Sequence, residues 1–216
     1  NPGNNKPTNT SEPTDNGNPN DNTPSEPETE TSSAFFDDVT ERDWFYDDVK
    51  WAFESELMVG VSERRFAPEE FISQATIVTL LARMLKIDLT QFDGIQYDDI
   101  LPNQWYTNAA IWAKQSGMLP DYSTFTGTDP LSRNGMAIML VKYLRSMGVD
   151  VNIDLSGVVF EDVDLMTAEG LQAFQILYHY GIFRGVGGNR MDPMSFVTRA
   201  QFAALMHRIS VFIESR

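Results

Sequence analysis

Cysteine is absent from this 216-residue chain, and histidine occurs only twice. Stability must then come from packing and not from disulfides. His179 and His207 fall in apolar, helical contexts with no second ligand at metal spacing, so neither a zinc site nor a catalytic triad is expected. Lys and Arg number 16 against 31 Asp and Glu, for a formal charge of −15. Phosphate binding needs clustered cations, so nucleic acid is not an expected partner, and an anionic membrane surface is disfavoured for the same reason. No apolar run approaches the roughly 20 residues that span a bilayer, and no signal peptide is visible. Membrane insertion is not expected.

One stretch lacks apolar residues altogether. Residues 1–33 contain no Ala, Val, Ile, Leu, Met, Phe, Trp or Tyr, yet hold six of the chain's 11 prolines. Nothing there offsets the entropy of ordering the backbone, so 1–33 is read as a disordered Pro/Asn/Thr/Glu linker. Because the chain opens without Met and inside such a linker, it is read as part of a longer protein. An N-terminal functional region and the export signal are then expected outside it.

From Ala34 onward the sequence is rich in aromatic residues and long enough to bury a core. Phe36-Asp37-Asp38-Val39 is followed by Trp44 and Trp51; Tyr97-Asp98-Asp99-Ile100 is followed by Trp105 and Trp112, each position offset by 61. Four tryptophans in two pairs at one offset mark a duplicated unit. A third copy opens at Phe160-Glu161-Asp162-Val163 and, after one inserted residue, runs at an offset of 125 from the first, aligning Gly185 with Gly60, Pro193 with Pro68 and Thr198 with Ser73. Glu169 and Ile176 replace its tryptophans. The units are placed at 34–93, 94–155 and 156–216.

Each unit reads as loop, helix, loop, helix, which predicts an all-α fold. In the first helix of unit one, Phe45, Val49, Ala52, Phe53 and Leu57 share a stripe at helical spacing, with Gly60 marking its end. The second helices start after Ser73, Ser132 and Thr198, all residue types whose side-chain oxygen caps free backbone N–H groups. Thr198-Arg199-Ala200-Gln201 fits a capping box, whereas Thr76 and Gly135 break it in the other units. Trp51 and Trp112 are expected in the core. Arg83, Lys142 and Arg208 recur ten residues past each cap.

These features resemble the S-layer homology repeat, whose pattern is an F-x-D-[VI] opening, a nearby Trp, a glycine turn, an F-x-P loop and [IV]-T-R-A-E at the second helix. Phe160, Asp162, Val163, Gly185, Pro193 and Val197 to Gln201 carry it in unit three; Phe36, Asp38, Val39, Trp44, Gly60, Phe66, Pro68, Ile72 and Ser73 carry it in unit one. The resemblance implies three repeats forming a pseudo-threefold prism around a central helical bundle. It also implies grooves between neighbouring repeats that bind peptidoglycan-linked secondary cell-wall polymer, often through a pyruvylated sugar. The module is then a non-catalytic anchor on the cell wall or S-layer of a bacterium, working without a cofactor or metal.

An anionic sugar calls for a guanidinium, helix-start amides and an aromatic face. Arg199 with Thr198, and Arg133 with Ser132, stand at helix starts, where the macrodipole favours an anion. Ser73 with Gln74 supplies a cap without a charge, and Trp44 and Trp105 are candidate platforms. Asp38, Asp99 and Asp162 are read first as structural. The uneven retention of these residues between units predicts one or two working grooves. The alternatives are a degenerate module for protein–protein contact or S-layer assembly, or direct binding to peptidoglycan.

Overall fold

A serine or threonine stands before each of three helices because its side-chain oxygen accepts the third amide of the helix. Ser73 accepts from Thr76 at 3.2 Å, Ser132 from Gly135 at 3.2 Å, and Thr198 from Gln201 at 3.3 Å. Gln201 reaches back to the Thr198 amide at 3.2 Å, completing the expected capping box. The computed structural model describes residues 35–120 and 124–216, so the linker expected at 1–33 lies outside the described residues. Among the described residues there are six α-helices, two short 3₁₀ turns and no β-strand. They are α1 (Tyr46–Glu54), α2 (Gln74–Met84), α3 (Thr107–Gln115), α4 (Arg133–Ser146), α5 (Ala168–His179) and α6 (Arg199–Glu214). The all-α expectation holds.

The first helix of each unit is short and ends in a left-handed residue. Gly117 (φ +70°) and Gly181 (φ +67°) take that place after α3 and α5, but after α1 it is Glu56 (φ +57°) and not Gly60. Gly60 instead permits a close approach, since a Cβ there would lie 2.4 Å from the Ser62 carbonyl oxygen and 2.7 Å from that of Arg65. Gly185 meets the Arg190 carbonyl at 2.4 Å in the same way, so the aligned glycines allow a tight loop to close on itself. The stripe expected in unit one is also shorter than drawn. Val49 and Ala52 are buried in α1, Leu57 is buried beyond its end, and Phe53 is 40% exposed.

The units interlock cyclically. Packed helix pairs are α2 with α3, α4 with α5 and α1 with α6, so the second helix of each unit meets the first helix of the next. At the segments leading into the second helices, Leu131 N–H donates to Ile72 C=O (3.1 Å), Ile72 N–H to Val197 C=O (2.8 Å), and Val197 N–H to Leu131 C=O (3.1 Å). Three bonds thus close a ring among residues that are each no more than 8% exposed. A buried amide needs a partner, and here each finds it in the neighbouring unit.

Asp38, Asp99 and Asp162 have the structural role read from sequence. Asp38 accepts the Phe66 and Ala67 amides, both at 2.8 Å. Asp99 accepts the Phe125 amide at 3.0 Å and pairs with Lys114 at 2.5 Å. Asp162 accepts the Met191 and Asp192 amides at 3.1 and 2.7 Å. Each opening loop is thereby tied to the loop before the second helix of its own unit. Trp112 is in the core at 5% exposure, as expected. Trp51 is only partly buried and stacks on His207, ring centres 4.9 Å apart, where His207 Nδ1 also meets Asp48 at 2.8 Å. Its ring is shared between α1 and α6 and not sunk in the interior.

Candidate functional site

Arg133 and Arg199 open α4 and α6, and their side chains lie along the neighbouring unit. Arg133 Nε donates to the Met191 carbonyl at 2.7 Å, with its guanidinium 4.7 Å from the centre of the Phe183 ring. Arg199 Nε donates to the Phe66 carbonyl at 2.8 Å and its Nη2 to that of Val59 at 2.8 Å, over the Phe66 ring at 4.7 Å. Gln74 occupies the corresponding place on α2, its Oε1 accepting from the Thr126 amide at 2.8 Å. All three residues reach from one unit into the next.

Two grooves result, and each draws on all three units. Trp44, Arg133, Arg184, Gln201 and Arg208 line the first, of about 240 Å³. Trp105, Arg199, Thr76, Thr79 and Arg83 line the second, of about 180 Å³. Gln201, Ala204, Leu205 and Arg208 in one correspond to Thr76, Thr79, Leu80 and Arg83 in the other at the offset of 125. Both lie below the roughly 300 Å³ at which pockets begin to enclose drug-sized ligands. Trp44 and Trp105 are 61% and 63% exposed, and each is held edge-on by the following ring, Phe45 or Tyr106, at 5.3 Å. Their faces are available to a ligand.

The third position is different. Glu169 stands where the other units keep the first tryptophan, and it pairs with Lys142 at 3.1 Å. Gln74 is 1% exposed, so it is part of the interior and not a groove residue as expected from sequence. A carboxylate ligand would find neither an aromatic face nor an uncommitted charge there.

Electrostatics favour the first groove. Burial pushes the pKa of the Arg133 guanidinium down, against the pull of Asp192 and Asp162. Burial likewise lowers the pKa of Arg199, opposed by Glu70 and Asp38. Arg208 is lowered by burial first and by nearby Arg184 second. A guanidinium stays protonated regardless, so these residues hold their charge in a partly desolvated setting. Arg133 is 7% exposed and its Nη2 has no hydrogen-bond partner. Arg184 is not among the residues singled out by sequence. Its one signal is the offset comparison, since Val59 is the aligned residue in unit one.

One expected contribution is absent. The first two amides of α2 donate to Asp129 and Gly127 carbonyls, those of α4 to Ser195 and Pro193, and those of α6 to Glu70 and Pro68. With the third amide capped by Ser73, Ser132 or Thr198, the helix starts have their amides committed inside the protein. An anion must therefore be held by side chains. Arg83, Lys142 and Arg208 also turn inward, to the carbonyls of Leu57, Leu119 and Ile182 behind the first helices.

The class of molecule so defined is a cyclic helical module with composite, arginine-bearing grooves. Two of its segments, residues 35–77 and 159–203, match the S-layer homology domain. Similar proteins include an exoglucanase, XynX, of Acetivibrio thermocellus, 19% identical over 81% of this chain and 16% of its own length. An amylopullulanase of Thermoanaerobacterium thermosulfurigenes is 20% identical over 80% of this chain and 9% of its own. An endoglucanase of Bacillus sp. (strain KSM-635) is 22% identical over 81% and 19%. The chain spans less than a fifth of the length of each of these relatives. Among the described residues, no helix is long and apolar enough to cross a membrane.

Proposed function

We propose that this chain is a non-catalytic anchor holding a larger protein on a bacterial cell wall, with three S-layer-homology repeats arranged as a pseudo-threefold prism. Its ligand is an acidic sugar of a peptidoglycan-linked secondary polymer, such as one carrying a pyruvyl ketal. The observation that carries this reading is Arg133 Nη2, buried without a partner in a groove it shares with Arg184, Arg208 and the exposed Trp44. A carboxylate meeting that guanidinium gains a charge-assisted bond, and the indole face packs against the C–H side of a sugar ring. The chain is acidic overall, but screening over about 8 Å at physiological salt lets three local arginines govern the groove. Two modest sites on one module, repeated over many molecules, raise avidity. The enzymatic names of the relatives belong to proteins of which this chain matches a small part, which fits an anchor attached to other functions.

Sedimentation of the purified chain with wall sacculi tests the proposal. Binding is expected to untreated sacculi and to be lost when the secondary polymer is extracted. A protein that stays in the supernatant with untreated sacculi would overturn the anchor reading. Binding that survives extraction would transfer the ligand to peptidoglycan itself.

A further inference from the structure

The first groove holds more positive charge than a single carboxylate can use. Arg133, Arg184 and Arg208 all line it, and among the described residues no Asp or Glu does. After burial, the like charge of Arg184 is the larger influence on the Arg208 guanidinium, ahead of the opposite pull of Asp48. The nearest carboxylates are spent elsewhere. Asp48 meets His207 Nδ1 at 2.8 Å, Asp162 accepts the Met191 and Asp192 amides, and Asp192 accepts the Ser195 hydroxyl at 2.6 Å. Arg208 Nη1 donates to the Ile182 carbonyl at 3.2 Å, and Arg133 Nη2 has no partner. Arg184 is exposed, and among the described residues its side chain makes no hydrogen bond or ion pair. The second groove is built differently. Arg199 serves the Phe66 and Val59 carbonyls, and Arg83 Nη1 serves those of Glu56 and Leu57, both at 3.3 Å. In its lining, Val59 takes the place aligned with Arg184.

From this arrangement we infer that the two grooves differ in the charge they select. The first takes a glycan unit bearing two anionic groups, one on Arg133 and the second, a phosphate or a further carboxylate, on Arg184 and Arg208. The second groove takes a unit bearing one. The inference rests on the anchor reading and deepens it, with Arg184 as the residue that sets the difference. Like charges gathered without a counter-charge repel one another, and a ligand with two negative groups relieves that repulsion where a ligand with one does so only in part. A guanidinium presents a planar fork that meets phosphate and carboxylate oxygens in pairs, so both candidate groups fit the same two side chains. Arg133 is 7% exposed whereas Arg184 stands in solvent, which sets the two anionic groups at different depths. Val59 offers no charge at the aligned place, so a second anionic group gains nothing from it in the other groove.

Titration calorimetry of the whole chain with three probes is the test, run beside sacculus sedimentation of the same samples. The probes are galacturonic acid, with one carboxylate; galacturonic acid 1-phosphate, with a carboxylate and a phosphate; and digalacturonic acid, with two carboxylates. At least one two-anion probe is expected to bind about tenfold more tightly than galacturonic acid, and which one does so tells phosphate from carboxylate. Arg184→Val, which installs the residue of the second groove, is expected to bring that probe down to the level of galacturonic acid while keeping the wild-type melting curve. Equal affinity for all three probes, no binding of any, or a preference that survives Arg184→Val would overturn the inference. Sedimentation that still depends on Arg133 would in that case leave the anchor reading standing. Absence of sedimentation by the unmodified chain would remove both.

Discussion

Lys142 Nζ and Glu169 Oε1 lie 3.1 Å apart, bridging α4 and α5 at the place where the two open grooves keep a tryptophan. The pair consumes the cation that corresponds to Arg83 and Arg208. Glu169→Gln is therefore expected to leave sacculus binding unchanged and to cost no more than about 1 kcal/mol of stability, the usual scale for a partly exposed ion pair. Lys142→Met also removes the donor to the Leu119 carbonyl at 2.6 Å, and about 1–2 kcal/mol is expected. Chemical denaturation measures both, and a fall in sedimentation with Glu169→Gln would place a working groove where none is assigned.

Arg133→Lys keeps a positive charge but loses the planar fork that meets a carboxylate. Binding of an acidic wall sugar should weaken about tenfold, equivalent to about 1.4 kcal/mol. Arg199→Lys should weaken it less, because Nη2 of Arg199 already serves the Val59 carbonyl. Equilibrium binding to isolated polymer ranks the two, and the reverse order would show that the second groove dominates.

The caps are expected to act on stability and not on ligand affinity. Ser73→Ala and Ser132→Ala should each cost about 1 kcal/mol. Thr198→Ala should cost more, since the reciprocal Gln201 bond goes with it. For a domain of this size each kcal/mol lowers Tm by about 2–4 °C. Calorimetric scans would reveal the order, and polymer binding by the folded variants should match the unmodified chain.

Asp99 gives the protein an acid-sensitive contact. Its hydrogen bond from Lys114 holds its carboxyl below the ordinary value, reinforced by the Phe125 amide against the opposing effect of burial. A carboxyl depressed on folding stabilises the native state above its unfolded pKa, about 3.9, and that contribution is lost as pH falls through the lower folded value. Asp99→Asn should thus be destabilising at neutral pH, with the gap to wild type closing below about pH 4. A gap that stays constant from pH 7 to pH 2 would rule out this linkage.

Much of the fold is legible in the sequence because its signals are local. A serine before an apolar periodic run reports a helix start whatever surrounds it, and the aspartates at 38, 99 and 162 announce themselves by position in the repeat. Gly60 misleads because a helix stop and a close loop approach both favour glycine, and sequence spacing does not separate them. Trp51 misleads because helical periodicity gives a face but not the depth of what covers it. The site is less legible still. Arg133, Arg199, Trp44 and Trp105 are visible singly, but their grouping depends on cyclic packing that sets residues of three units around one groove. Gln74 looks like a weakened arginine and is a buried bracket to Thr126. Arg184 has no motif of its own and counts only because Arg133 and Arg208 stand beside it.

The ring made by Ile72, Leu131 and Val197 limits how such a module can change over time. An open stack of repeats grows or shrinks at its ends, since each unit answers only to its neighbours. A circle has no end. A fourth unit would have to open the closed ring to enter, and loss of one would unmake both grooves, because each borrows from all three. Variation is therefore pushed into single positions, and the Lys142–Glu169 pair braces its part of the circle whatever the grooves beside it hold.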